Sequence, residues 1–351
     1  MFHKDKKLKQ FYLKDKCPKL DEEQITITSF NLLADLFCLT KKKLGKSSRL
    51  EKIDNKYLEW EYRRDITLDI FSKLDSDVFC VQEMDAPLHE DFFERMRERG
   101  YEGVMQQEKK KPKKVGLATF YRKSRFELFH ENSRSRALIV TLKMKEKSCE
   151  GVETLLYVTN VHLEGHYTET KKRFSQIKSS LEIVARHQHS LTHLPQKKRK
   201  NLEEGEEERS EEEKKLREKF RFVSFVAGDF NSGEESGIYR CLVKGGLQAD
   251  YRDSNPHTCH LEHTDKDFES PFTFQSTYKS VLGKEPPFTF SGLSKESLST
   301  IDFIFCEKGK VECLAVLNHF EPSQQSDIKR WVLTEKIPSD HFPISAVMKL
   351  K

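Results

Sequence analysis

Between residues 24 and 348 the chain switches repeatedly between short apolar runs of period two and stretches with helical spacing, which restricts it to a mixed α/β fold. Gln24–Asn31 alternates like a strand. Residues 56–74 place Trp60, Ile66, Ile70, Phe71 and Leu74 near one helical face, and Asp77–Gln82 then reads as a buried strand. A short helix is predicted over 89–99, closed by Gly100. Leu117–Arg122, Ala137–Met144 and Leu155–Leu163 read as strands, and the lack of room for a helix between the first two predicts that they pair antiparallel. Thr170–His187 is the longest helix candidate, while Phe222–Ala227, Ile301–Cys306, Val311–Leu317 and Phe342–Met348 bring the strands to at least nine. With no internal repeat, the pattern predicts one domain over 23–351 built on two sheets.

Two segments break this pattern. Residues 1–22 are Lys-rich and read as a flexible leader to the domain. From Pro195 to Lys219 nine basic and nine acidic residues surround only Leu202 and Leu216, too little apolar surface to order the segment by packing. It is a charged insertion, expected as a solvated loop or a lone charged helix.

The formal net charge of +5 is accounted for by residues 1–19, where seven Lys face two Asp, so the rest of the chain is close to neutral. A globally basic nucleic-acid surface is therefore not supported, and local patches at Lys41–Lys43 and Lys109–Lys114 carry that case. Eight Cys lie singly, mostly inside apolar runs, as reduced intracellular thiols do. There is no apolar leader and no run of roughly 18 apolar residues. The expectation is a soluble cytoplasmic monomer without membrane contact, with a nuclear address at Lys197–Lys200 as an alternative.

Polar residues able to bind a metal or a phosphate recur at the ends of these strands. Asn31 ends the first, Glu83 follows Asp77–Gln82, His162 closes another, and Asp229 and Asn231 follow Phe222–Ala227. Any one of them alone is a turn former or a cap. Together they are hard donors that suit Mg²⁺, or Mn²⁺ in its place, rather than structural zinc. Hydrolysis of a phosphodiester needs a cation to neutralise the phosphate, a base for water, and donors for the phosphoryl oxygens. Glu83 is the expected metal ligand, with Asp340 as a second or outer one. Asp229 is the candidate base, Asn31 and Asn231 the phosphate donors, and His341 a phosphate-facing imidazole. Asp302 sits in an apolar strand where a lone carboxylate is costly, and a hydrogen bond to His341 would satisfy it and orient the ring. Phe288 and Phe290 are candidates for base stacking. His257, Cys259, His260 and His263 have zinc-type side chains, in a spacing that matches no known finger.

The fragments SFNLLAD (Ser29–Asp35), VQEMD (Val81–Asp85), NVHLEGH (Asn160–His166), AGDFNS (Ala227–Ser232), STIDFIF (Ser299–Phe305) and PSDHFPISA (Pro338–Ala346) occur in an order that resembles the endonuclease/exonuclease/phosphatase superfamily. Glu59–Asp85, Gly116–Leu128 and Arg173–Ile183 are similar to its deadenylase-like branch, which includes nocturnin, the angel proteins, 2′-phosphodiesterase and carbon catabolite repressor protein 4. The resemblance implies a four-layer α/β sandwich, two mixed β-sheets face to face and flanked by helices. It also implies one or two magnesium ions and 3′ to 5′ removal of nucleotides from RNA. By the same resemblance Glu83 meets the metal, Asp229 and Asn231 the nucleophile and phosphate, and His162 and His341 the transition state. Leu33 stands where several DNA-repair members carry an acidic residue, which weighs against a repair endonuclease.

The expected activity is thus a magnesium-dependent 3′–5′ exoribonuclease acting on single-stranded RNA with a 3′ end, with a preference for poly(A). Three alternatives remain. The same site could act on 2′,5′-oligoadenylate, a 2′,3′-cyclic phosphate or another small phosphoester; it could process DNA ends; or the fold could be a silent RNA-binding scaffold.

Overall fold

The computed structural model describes residues 10–11, 23–38, 53–107, 114–146, 151–193, 206–292, 298–318 and 333–351. The patches at 41–43 and 109–113, the run 197–200 and most of 1–22 lie outside the described residues.

Two sheets carry the architecture. The seven-stranded one runs Tyr101–Met105, Val115–Arg122, Val78–Asp85, Gln24–Asn31, Ile344–Leu350, Val311–Leu317 and Gln10–Phe11. The six-stranded one runs Phe126–Ser133, Ala137–Met144, Glu153–His162, Phe220–Asp229, Asp302–Glu307 and Phe274–Ser276. Near the middle of each lies one parallel pair joined through a helical crossover. Gln24–Asn31 pairs with Val78–Asp85 across the helix Trp60–Leu74, and Glu153–His162 pairs with Phe220–Asp229 across Thr170–Thr192. Strands of a parallel pair end on the same side, so each pair delivers two carboxyl-terminal ends to one edge of its sheet.

The sheets pack face to face over a core of alternate residues, among them Ile25, Ile27, Val78, Leu156, Val158, Phe225 and Ile304. The opposite face of the seven-stranded sheet is covered by Trp60–Leu74 and His89–Glu98 through Leu68, Phe71, Phe92 and Met96. That of the six-stranded sheet is covered by Thr170–Thr192 and Gly237–Lys244 through Ile177, Leu181, Ile238 and Leu242. The result is the four-layer α/β sandwich. Within the charged insertion, Glu206–Lys219 is helical and leads straight into Phe220–Asp229.

Four strands of the two sheets escape the sequence reading, the short Gln10–Phe11 and Phe274–Ser276 and two longer ones with a consequence for pairing. Tyr101–Met105 pairs with Val115–Arg122, and Phe126–Ser133 pairs with Ala137–Met144. Leu117–Arg122 and Ala137–Met144 therefore do not pair as expected but belong to different sheets. Phe126–Ser133 is an edge strand whose middle residues are exposed, so it lacks the apolar alternation that marks a half-buried strand. Its ladder is bulged between Leu128 and His130.

One glycine fixes the junction of the second parallel pair. Gly228 lies beside Val161 at φ +144°, and a Cβ there would stand 2.0 Å from the Val161 carbonyl oxygen. Gly228→Ala is expected to cost about 3 kcal/mol or more, measured by urea unfolding; a loss below about 1 kcal/mol would contradict this backbone.

Candidate active site

Along each inward-facing row the side chains change from apolar to polar toward one edge of the sandwich. Ile25 and Ile27 lead to Asn31, Leu156 and Val158 to His162, and Phe225 and Ala227 to Asp229, each step preserving the face. Asp302 opens a strand running the other way, and its register puts it directly across from Asp229. Glu83 is the exception, since Val78, Cys80 and Gln82 already claim the inward face. The ladder to Val115–Arg122 slips between Val81 and Met84, and Glu83 takes φ +57°, so a bulge turns its carboxylate inward.

These residues, more than 300 positions apart in the chain, meet in one hydrogen-bonded cluster. The Asn31 amide nitrogen donates to Glu83 Oε1 at 3.2 Å and to Asp229 Oδ2 at 3.1 Å, while Asn31 Oδ1 accepts from the Leu33 amide at 3.0 Å. Both amide hydrogens are engaged, so here the carboxamide spaces two carboxylates rather than facing a phosphate. Ala34 N–H donates to Glu83 Oε2 at 2.9 Å, and Asn231 N–H to Asp229 Oδ1 at 2.9 Å. His162 Nε2 lies 3.9 Å from Glu83 Oε1 and 3.6 Å from Asp229 Oδ2. His341 Nε2 approaches the same Asp229 oxygen to 3.8 Å. The Asn231 side chain is turned away to the Leu163 carbonyl at 2.9 Å.

His341 is fixed by its neighbours. Its Nδ1 meets Asp302 Oδ2 at 2.9 Å, and Thr289 donates to that same oxygen at 2.6 Å while accepting from the Ile301 and Asp302 amides. Burial alone would lower the pKa of this imidazole, but Asp302, with Asp229 and Asp340, outweighs it and pushes the ring up to about 10. Burial raises Asp302 too, against the pull of His341. Asp302 Oδ1 is buried with no protein partner.

The donor set fits a divalent cation. Asp229, Asp302 and His341 each offer one atom within 4.8 Å of the others, and Glu83 adds a partly exposed carboxylate beside them. Glu83 is the more open carboxylate of the set, and each of its oxygens receives a single donor, Oε1 from Asn31 and Oε2 from the Ala34 amide.

Other parts of the arrangement were not legible. Gln82 donates to Asn160 Oδ1 at 2.8 Å and to Ser29 Oγ at 3.1 Å, and the Asn160 amide reaches the Val81 and Ala118 carbonyls, a buried polar layer joining the two sheets beneath the site. Their one signal is a polar residue in the apolar phase of a strand. Among the described residues five non-glycine residues have positive φ, and three of them, Leu33, Glu83 and Asn231, belong to this site. A cavity of about 510 Å³ opens beside Asn231, walled by Tyr167, Asn255, Lys284, Pro286 and Leu298.

The expected stacking pair divides. Phe288 is core, buried edge-on against Phe342 at 5.3 Å. Phe290 lies against the His341 ring at 4.7 Å and stays partly exposed. Asp340 is buried next to His341. The His257–His263 cluster does not assemble: His263 is buried on Asp253 at 2.6 Å, Cys259 is exposed, and among the described residues only Asp229, Asp302 and His341 group as metal ligands.

A family model described as Endonuclease/Exonuclease/phosphatase family matches residues 28–341. The CCR4-Not complex 3'-5'-exoribonuclease subunit Ccr4 of Mycosarcoma maydis is 22% identical over 94% of this chain and 51% of its own length. Carbon catabolite repressor protein 4 homolog 4 of Arabidopsis thaliana is 25% identical over 93% of this chain and 77% of its own. The chain spans about half the length of the fungal relatives it matches. Among solved structures, ANGEL2, a 2',3'-cyclic phosphatase, superimposes with a TM-score of 0.67 at 18% identity, covering 93% of this chain and 95% of that one. The human Nocturnin catalytic domain gives 0.58 at 18% identity, covering 94% and 95%.

The ionisation of His341 can be followed directly. Its folded pKa is raised above the ordinary 6.5, so the pair's contribution to stability is complete below that value and is lost as pH rises through about 10. In EDTA-treated protein the His341 ring resonances should stay flat between about pH 6 and 8. In Asp302→Asn they should titrate within that window; a native ring that already titrates there contradicts the pairing.

Proposed function

The chain belongs to the endonuclease/exonuclease/phosphatase family, and from that premise we propose that it is a Mg²⁺-dependent phosphodiesterase that removes nucleotides from the 3′ end of single-stranded RNA. The observation that carries this reading is the convergence of Asn31, Glu83, His162, Asp229 and His341, linked in steps shorter than 4 Å. The relatives named as exoribonuclease subunits support the choice of RNA.

Glu83 and Asp340 would hold the cation, in one or two sites. When bound, the ion supplies positive charge for the phosphoryl oxygens. The remaining work falls to side chains. Asn31 keeps Glu83 and Asp229 apart without letting their charges repel each other into solvent. Asp229 accepts a proton from the attacking water, its carboxylate aimed by Asn31 and the Asn231 amide. His162 and His341 approach the same Asp229 oxygen and present ring nitrogens to a phosphate held above it. Asp302 and Thr289 keep the His341 ring turned that way. The cavity beside Asn231 gives room for the nucleotide next to the cleaved bond.

The test is product analysis on 3′- and 5′-labelled RNA homopolymers with Mg²⁺, with single-stranded DNA and adenosine 2′,3′-cyclic phosphate as comparison substrates. A ladder shortening from the 3′ end of RNA, strongest for poly(A), is expected, and EDTA should stop it. Cleavage of the cyclic phosphate alone would replace this reading with the small-molecule one. Glu83→Ala should lower kcat by roughly 10²–10³-fold with the unfolding midpoint unchanged; an unaltered rate removes Glu83 from the cation's site.

A further inference from the structure

The two parallel strand pairs joined by crossover helices each carry a buried arginine at the same place. Arg63 is the fourth residue of Trp60–Leu74 and Arg173 the fourth of Thr170–Thr192, the two crossover helices. Both are almost fully buried, which is costly for a guanidinium unless its donors are taken up. In both, the takers are backbone carbonyls. Arg63 Nη1 donates to Leu32 O and Leu33 O at 2.8 Å each and to Pro338 O at 3.3 Å, and its Nε donates to Leu58 O at 3.4 Å. Arg173 Nη1 donates to Glu164 O at 3.0 Å and His166 O at 2.6 Å, and its Nη2 to Tyr167 O at 3.0 Å. Asp35 lies 3.6 Å from Arg63 Nη2, while among the described residues no carboxylate is within 4.0 Å of Arg173.

The carbonyls belong to segments that flank the site residues. Leu33 and Ala34 donate their amides to Asn31 and Glu83. Pro338 precedes Ser339, whose hydroxyl donates to the Asn31 carbonyl and accepts from the His341 amide. Leu163, just before Glu164, accepts from Asn231 and donates to Asp229 O. One planar group thus gathers the loop after Asn31, whose Ala34 amide holds Glu83, and the segment before His341, and the other gathers the loop between His162 and the second helix.

We propose that Arg63 and Arg173 are a matched pair of positioning residues, each organising one half of the site by holding several loop carbonyls at once. Neither touches the reacting atoms. What the site needs from them is the fork: several fixed donors in one plane, which a lysine ammonium cannot reproduce although it keeps the charge. The inference rests on the proposed activity only for its kinetic readout.

Arg63→Lys and Arg173→Lys test it in the full chain. Each should lower kcat on an RNA oligonucleotide by roughly 10²-fold with KM changed less than about threefold. Amide hydrogen exchange should speed up at residues 33–34 in the first and at 163–167 in the second, with the sheet strands as protected as in the native protein. Methylguanidinium should restore part of the lost kcat to Arg63→Ala. Exchange and kcat both at native values in the Lys variants overturn the proposal. So does a loss of protection spread evenly over the strands, which marks a merely structural arginine. If the native chain cleaves no substrate, the proposed activity falls, and the exchange pattern alone still decides the role of the two arginines.

Discussion

Two carboxylates from opposite sheets face one another across a single carboxamide. Glu83 belongs to the seven-stranded sheet and Asp229 to the six-stranded one, and each takes a hydrogen from Asn31. That shared donor lets two carboxylate groups from different sheets sit close together, a clustering of oxygen donors that suits a cation. The sandwich below serves this contact: apolar rows hold the sheets at packing distance, and the Gln82–Asn160 layer ties them together just beneath.

Local strain concentrates at the same edge. Leu33 and Glu83 hold left-handed backbone that their side chains disfavour, each at a cost of about 1–3 kcal/mol. Asp302 Oδ1 is buried and finds no partner among the described residues, a further loss. Stability is thus given up where chemistry is done, and regained in the aromatic packing of Phe71, Phe79, Phe92 and Phe120 and in the core between the sheets.

Much of this could be read from the sequence, for physical reasons. Strands buried on both faces leave strong apolar runs, so the polar residues that end them, Asn31, His162 and Asp229, stand out, as does Asp302 within its own apolar run. The need of a buried Asp302 for a partner pointed to the bond with His341. What could not be read depends on three-dimensional accidents of register. Nothing in Val81–Asp85 announces a bulge, yet because of it Glu83 faces inward along with its neighbour Gln82. Phe288 and Phe290 are alike as residues two apart, and only the folded chain puts one ring on Phe342 and the other beside the imidazole of His341. An edge strand such as Phe126–Ser133 hides because solvent, not packing, fills its alternate positions.

That edge strand has an implication for how the molecule behaves among its own copies. An open row of peptide groups with Leu128 and Phe129 exposed beside it invites another strand to add on. The kink between Leu128 and His130 breaks the straight template, and Glu127 and Glu131 would set like charges opposite each other in an antiparallel self-pairing. A bulge and like charges thus leave this rim of the six-stranded sheet a poor template for a second copy of the same strand.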